Sequence, residues 1–330
     1  MNKFFLSLSI LAVFTVSTTT QVLAAESIFS DTPETHPNNV AIRYLVKQGI
    51  FKGYSDGTFK PEKILNKAEA LKIIIEGAAI KTDDANTASN FKDVASTDWF
   101  AKYVTKGKEL GIVSGNPDGT FLPGKTVSRA EFLKMVLIAN TFKADNWKGK
   151  ALYPDVPTDA WYNAYMNFAG SSGLLIKDAQ GNLLPTKELS RGEVAEILYL
   201  LTIMLKGTDV QFLISQSEAE MVQIEVFMNA SDIIHAKRSS ELAVDFTQQA
   251  YKILPSNNVV LGAAKLAKAY DMVITAFIAG VQKDKAMAED YAKKAIAKAD
   301  EAIAVYAEIT SVANHVKSRA NDILEQVKKL

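Results

Sequence analysis

The middle of this chain writes one unit three times, and a repeat at a fixed period restricts a fold more than any local motif does. Phe29-Ser30-Asp31 returns as Phe91-Lys92-Asp93 and again as Tyr153-Pro154-Asp155, 62 residues apart at each step. The same offset relates Gly49, Gly111 and Gly173, then Gly57, Gly119 and Gly181, then Pro61, Pro123 and Pro185, and finally Glu69, Glu131 and Glu193. No insertion or deletion breaks the register.

Each copy reads as helix, turn, helix. The first helix holds Val40 to Val46 in copy one, Trp99 to Leu110 in copy two and Trp161 to Ala169 in copy three. A glycine follows each, where a helix end needs a residue that accepts positive φ. Asp56-Gly57-Thr58-Phe59 and Asp118-Gly119-Thr120-Phe121 then signal a tight turn, with the degenerate Gln180-Gly181-Asn182-Leu183 in copy three. The alternating acidic ligands of a calcium loop are missing, so these aspartates read as turn residues. The second helix opens on Asn66-Lys67-Ala68-Glu69, Ser128-Arg129-Ala130-Glu131 and Ser190-Arg191-Gly192-Glu193. Each is a capping box, in which the glutamate reaches back to the amide of the cap. Apolar residues follow at helical spacing: Leu71, Ile74 and Ile75; Leu133, Val136 and Leu137; Val194, Ile197 and Leu198.

The capping box accounts for the glutamates but not for the cation between cap and glutamate. A helix N-terminus carries partial positive charge, so Lys or Arg is locally unfavourable there. One reading is a snorkelling surface side chain. The other, which the position favours, is that the cation and the helix N-terminus face an anion together.

These segments resemble the S-layer homology (SLH) domain family over residues 28–205. The resemblance rests on the aromatic-x-Asp opening, the Trp of the first helix, Gly-Ile, Asp-Gly-Thr-Phe and the Ser-Arg-Ala-Glu box. Copy two matches nearly throughout, with Trp99, Gly111-Ile112, Asp118-Gly119-Thr120-Phe121 and Ser128-Arg129-Ala130-Glu131. The resemblance implies that three tandem copies form one pseudo-threefold unit. Its grooves would bind acidic cell-envelope polysaccharide without a covalent link, often through a pyruvylated terminal sugar. It also implies glycan-binding roles for the box cations Arg129, Arg191 and Lys67, the opening aspartates Asp31, Asp93 and Asp155, and the tryptophans Trp99 and Trp161. Copy one has Pro37 in place of the Trp and Lys67 in place of the Arg, which makes it the weakest groove and copy two the most intact. A guanidinium offers a planar carboxylate a fork, whereas an ammonium is a point charge.

The flanks differ from the repeats. Residues 1–24 read as a secretory signal peptide: Lys3, an apolar run from Phe4 to Val16, and small residues at Ala24 and Ala25. From Asp209 onward helices are expected over about 210–254, 259–282 and 284–330. Ser231-Asp232 is placed to cap a new start within the first. In the last stretch Ala288, Ala292, Ala295, Ala299, Ala302, Tyr306, Ile309, Ala313, Val316, Ala320, Ile323, Val327 and Leu330 alternate steps of four and three, as a coiled-coil seam does. The partner of that seam is either another helix of this chain or another copy. Short connections at Pro255 to Asn258 and Lys283-Asp284 favour an intramolecular bundle.

Composition narrows the function. Lys+Arg and Asp+Glu both number 37, so the chain has no net field to gather nucleic acid. There is no cysteine, and the three histidines are scattered, so no catalytic residue, metal site or cofactor is expected. The expected fold is mainly α: a pseudo-threefold bundle of three helix-turn-helix repeats (28–80, 91–143, 153–206), then an antiparallel α-helical bundle or coiled coil (209–330). The expected function is non-enzymatic. A secreted protein would be held at the cell wall through an envelope polysaccharide or a peptidoglycan-linked polymer. Its helical module would serve spacing, self-association or contact with a partner. The rival readings are a wall-anchored enzyme acting on envelope polymer and an S-layer-type subunit that tiles the surface.

Overall fold

The computed structural model describes residues 28–83 and 91–329, so the expected signal peptide lies outside the described residues. Eleven α-helices and no strands occur among them. They fall into two compact units. Ile28–Thr32 and Ala41–Thr202 make up the repeat unit, while Pro33–Val40 and Ile203–Leu330 belong to the helical unit.

Each copy contributes two helices: α1 (Asn39–Lys47) and α2 (Lys67–Gly77), α3 (Ala101–Glu109) and α4 (Arg129–Ala139), α5 (Asn163–Ser171) and α6 (Arg191–Leu205). The glycines after the first helices stop them as expected, with φ of 75° at Gly49, 70° at Gly111 and 78° at Gly173. The second helices start at capping boxes. Asn66 and Ser128 accept from the amides of Glu69 and Glu131, whose carboxylates reach back to the cap amides. Ser190 and Glu193 make the same pair of bonds at 3.3 and 3.1 Å. Leu71, Ile74, Leu133, Val136 and Val194 are fully buried, so the helical periodicity marked the core.

The threefold relation is closed by backbone hydrogen bonds. Leu65 N–H donates to Leu189 O, Leu189 N–H to Val127 O and Val127 N–H to Leu65 O, at 3.1, 3.2 and 3.1 Å. These are equivalent residues of the three copies, all buried. Around this ring each second helix hands its first free amides to another copy. Lys67 and Ala68 donate to Lys125 O and Pro123 O, Arg129 and Ala130 to Lys187 O and Pro185 O, and Arg191 and Gly192 to Lys63 O and Pro61 O. Buried amides need acceptors, and here the next copy supplies them.

The helical unit is an antiparallel bundle of α7 (Val210–Asn229), α8 (Ile233–Ile253), α9 (Asn258–Val281), α10 (Lys285–Val305) and α11 (Thr310–Val327). Asp209, Asp232, Asn257 and Asp284 cap four of the starts through side-chain oxygens. Cross-links between successive helices fix the alternation: Ser217 Oγ to Ala243 O, Lys237 to Asp271, Lys265 to Glu301 and Lys317 to Asp300.

One expectation is corrected. The stretch 284–330 is not one helix, because it breaks at Tyr306 (φ −145°, ψ 95°) and a 3-10 turn over Ala307–Ile309. The seam is folded in half. Ala288, Ala292, Ala295, Ala299 and Ala302 on α10, and Ala313, Val316 and Ala320 on α11, are all fully buried in one core with α9. Burying both halves within the chain outweighs the continuity of a long exposed rod. Gly262 of α9 admits the turn, since a Cβ there would lie 2.8 Å from Tyr306 Cβ. No helix among the described residues is long and apolar enough to cross a membrane.

Candidate functional site

The opening aspartates are committed to the backbone. Asp31 accepts the amides of Phe59 and Lys60, both at 2.7 Å. Asp93 accepts those of Phe121 and Leu122, both at 2.7 Å. Asp155 accepts those of Leu183 and Leu184 at 2.9 and 2.6 Å. Lys60, Leu122 and Leu184 all have positive φ, 57°, 59° and 53°, so the carboxylates hold a strained corner in place. Before each corner the turn is pinned locally: Asp118 accepts from the amide and hydroxyl of Thr120, and in copy three Asp178 accepts from the amides of Gln180 and Asn182.

The box cations grip the same corner from the other side. Lys67 Nζ donates to Phe121 O at 2.9 Å, Arg129 Nη1 to Leu183 O at 2.7 Å, and Arg191 Nε to Phe59 O at 2.9 Å. Arg191 Nη2 also donates to Lys52 O at 2.5 Å. Arg129 and Arg191 are only 8% and 9% exposed, which rules out the snorkelling reading. Burial works against the charged forms of Lys67 and Arg191. The expectation that the helix N-terminus faces an anion is also corrected. Its first two amides are taken by carbonyls of the next copy and the third by the cap. The amides of that end are therefore spent, and the positive charge that remains there is the side chain's, which Arg129 shares with Glu193 at 3.1 Å.

Around Arg191 and Lys67 the surface opens into two clefts, each built from three copies. The first, of about 350 Å³, joins Arg191 of copy three, Phe51, Tyr54 and Lys72 of copy one, and Trp99 of copy two. The second, of about 170 Å³, joins Lys67 of copy one, Ser114, Asn116 and Lys134 of copy two, and Trp161 of copy three. The copy is thus not the unit of the groove. Arg129 and Trp99, whose joint presence in copy two suggested an intact site, do not line one cleft. Copy one's Pro37 and Lys67 likewise do not make one weak groove. Lys67 lines a cleft walled by Trp161, and copy one's own loop lies in the cleft with Arg191 and Trp99.

Trp99 and Trp161 are 55% and 56% exposed, wide open for indoles. Edge contacts to Phe100 and Tyr162, with centroids 5.3 Å apart, hold each ring upright. Lys72 Nζ lies 5.9 Å from the Trp99 ring centroid and Lys134 Nζ 5.5 Å from that of Trp161. Neither lysine stood out in the sequence, although the repeat offset relates them. For Glu131, burial pushes the carboxyl up, and bonds from Ser128 and Lys125 outweigh it, leaving an anion already spent on the cap. By contrast, Arg191 Nη1 has no hydrogen bond among the described residues. Lys67 gives one proton to protein and keeps two. Cation, apolar ring face and second cation together suit an acidic sugar: the carboxylate on the cation, the pyranose face on the indole.

The description "S-layer homology domain" matches residues 28–71, 90–133 and 152–195. The chain carries three S-layer homology domains in tandem, and they are the three copies of the repeat unit. Among curated relatives, "Cell surface glycoprotein 1" of Acetivibrio thermocellus is 34% identical over 46% of this chain and 7% of its own length. "S-layer protein EA1" of Bacillus anthracis is 30% identical over 54% of this chain and 20% of its own. "Cellulosome-anchoring protein" of Acetivibrio thermocellus is 31% identical over 43% of this chain and 31% of its own. The chain therefore spans less than a third of each of these relatives. The domain type and these relatives support a secreted, cell-surface protein associated with the cell wall and anchored to the envelope.

Proposed function

We propose that the protein is a non-covalent anchor whose repeat unit holds an acidic, often pyruvylated, polysaccharide of the cell envelope. The box cation and the tryptophan of a cleft make the contacts. Asp31, Asp93 and Asp155 act by positioning the backbone corners on which the cations rest. The observation that carries this reading is the convergence of Arg191, Lys72 and an open Trp99 face on one cleft. A charge-assisted bond to a carboxylate contributes about 1.5–3 kcal/mol, so one cleft alone holds weakly. The protein acts without a catalytic step, and its helical unit is the module the anchor serves, for spacing, assembly or contact with a partner.

Co-sedimentation of the full-length protein with purified envelope polysaccharide tests this. Retention is expected, and it should fall when pyruvyl groups are removed by mild acid. Trp99→Ala with Trp161→Ala should abolish it while circular dichroism stays unchanged, since both side chains are exposed. Undiminished retention by that variant, or turnover of wall glycan by the purified protein, would overturn the reading.

A further inference from the structure

One end of the helical bundle exposes apolar side chains where local physics favours acidic ones. The alternation of α7 to α11 brings the α7–α8 turn, the α9–α10 turn and the C-terminal end of α11 to this end. Phe227 of α7 packs on His235 of α8 with ring centroids 5.4 Å apart, and Val327 of α11 lies 3.8 Å from where a Cβ on Gly280 of α9 would stand. The two turns are built alike. Asp232 N–H donates to Phe227 O and Asp284 N–H to Ala279 O, at 2.8 and 2.9 Å, and the residues before them, Ser231 and Lys283, have positive φ of 60° and 62°. A helix end of this kind usually takes glycine, so Lys283 holds its place against a backbone cost.

The cap of each following helix leads into a first turn that holds no acid, although Asp and Glu are the residues a helix N-terminus stabilises. Instead Ile234 in the first turn of α8 is 81% exposed and Met287 in that of α10 is 39% exposed, while Val281, which closes α9, is 60% exposed. A single exposed apolar side chain is ordinary. Three at one end of a bundle, among lysines, form the kind of surface that meets a membrane or a protein. Lys283, Lys285, Lys328 and Lys329 share this end, all exposed. Lys328 pairs with Glu325, whereas Lys283, Lys285 and Lys329 make no ion pair among the described residues. The acids of the two turns are committed: Asp232 accepts from the His235 amide and bonds its ring, and Asp284 accepts from the Met287 amide.

We propose that this end of the helical bundle docks on a lipid bilayer that carries anionic headgroups. Ile234, Val281 and Met287 enter the headgroup boundary, and the lysines meet lipid phosphates. No helix among the described residues is long and apolar enough to cross a membrane, so the contact is with the surface. Charge complementarity favours this occupant over a second copy, because an end-to-end pair would set the lysines against their own equivalents. Three side chains also fall short of the roughly 800 Å² per partner that a stable protein interface buries. This contact is independent of the acidic-glycan reading, since every residue in it belongs to the helical unit.

Flotation of the full-length protein with lipid vesicles tests this. The protein should rise with vesicles of phosphatidylglycerol and phosphatidylcholine in equal parts, stay behind with phosphatidylcholine alone, and be released by salt. Ile234→Ser with Val281→Ser should lower the partition coefficient about tenfold or more, with thermal unfolding unchanged because both side chains are exposed. Lys283→Gln with Lys285→Gln should lower it by about tenfold and blunt its dependence on salt. Failure of the parent to float with the anionic vesicles, or undiminished flotation of either double variant, would overturn the proposal. A concentration-dependent dimer in sedimentation that Ile234→Ser with Val281→Ser dissolves would assign this surface to a second copy and overturn it equally.

Discussion

In every copy a carboxylate and a cation take opposite sides of one peptide corner, so a residue that looks like a ligand contact is also a strut. Asp93→Ala strips the acceptor from the amides of Phe121 and Leu122 at a positive-φ corner. The expected cost is roughly 1–3 kcal/mol, read as a lowered urea midpoint of the repeat unit. Lys67→Arg is expected to fold without loss. Arg129 and Arg191 already occupy the equivalent position and reach the equivalent carbonyl. On the acidic-glycan reading it should also tighten the binding of an acidic sugar beside Trp161, measured by calorimetry, because a fork replaces a point charge. A weaker response would mean that Phe121 O, not the ligand, dictates the side chain at that position. The sequence identified the right residue types here but not their division of labour. Spacing shows that a cation lies one position after a cap, whereas the carbonyl it meets is 54 residues away.

Elements were legible where their signals are local. Caps, terminal glycines and the apolar stripe of the second helices act within one or two turns, and each stands where the sequence puts it. The break at Tyr306 was not legible, because no glycine or proline marks it and its cause is burial against α9. Gly262→Ala tests that cause. The added methyl would meet Tyr306 Cβ at 2.8 Å, so a loss of about 1–3 kcal/mol is expected in thermal unfolding of the helical unit. A neutral result would show that the turn yields easily. The same bundle carries a pH response. Glu225 of α7 bonds His315 at 3.0 Å and Arg319 at 2.8 Å, both on α11. The bond to Glu225 raises the pKa of His315, so its contribution is full below the ordinary value near 6.5 and fades as pH climbs through the raised one. Burial among Ile214, Met221 and Leu266 pushes Glu218 up to about 7, and this too makes stability fall as pH rises from its ordinary 4.5. For Glu225, burial raises the carboxyl, but the bonds from His315 and Arg319 outweigh it, so its contribution is lost only in acid, below 4.5. Thermal unfolding of the helical unit should therefore peak on the acidic side of neutrality. His315→Gln and Glu218→Gln should each flatten the alkaline limb in part. A limb unchanged in both would sink the assignment.

At the scale of the molecule, the clefts explain why reading copies one at a time misjudged the site: a linear motif puts Trp99 with Arg129, and the threefold closure sends them to separate walls. On the acidic-glycan reading, two clefts on one unit also predict a particular loss pattern. Removing Trp99 or Trp161 alone should halve the uptake of a free pyruvylated sugar, yet weaken retention on the polymer by about a hundredfold or more, because the second contact is made at high local concentration. Proportional losses on both ligands would show that the clefts work singly. The ring of backbone bonds through Leu65, Val127 and Leu189 carries a last implication. Each copy lends a cation to a neighbour's loop, and both clefts draw on all three copies, so a chain with one copy deleted is expected to keep neither cleft whole. On the anchoring reading, a lineage that trimmed one repeat would forfeit both clefts together, which ties copy number to mutual dependence.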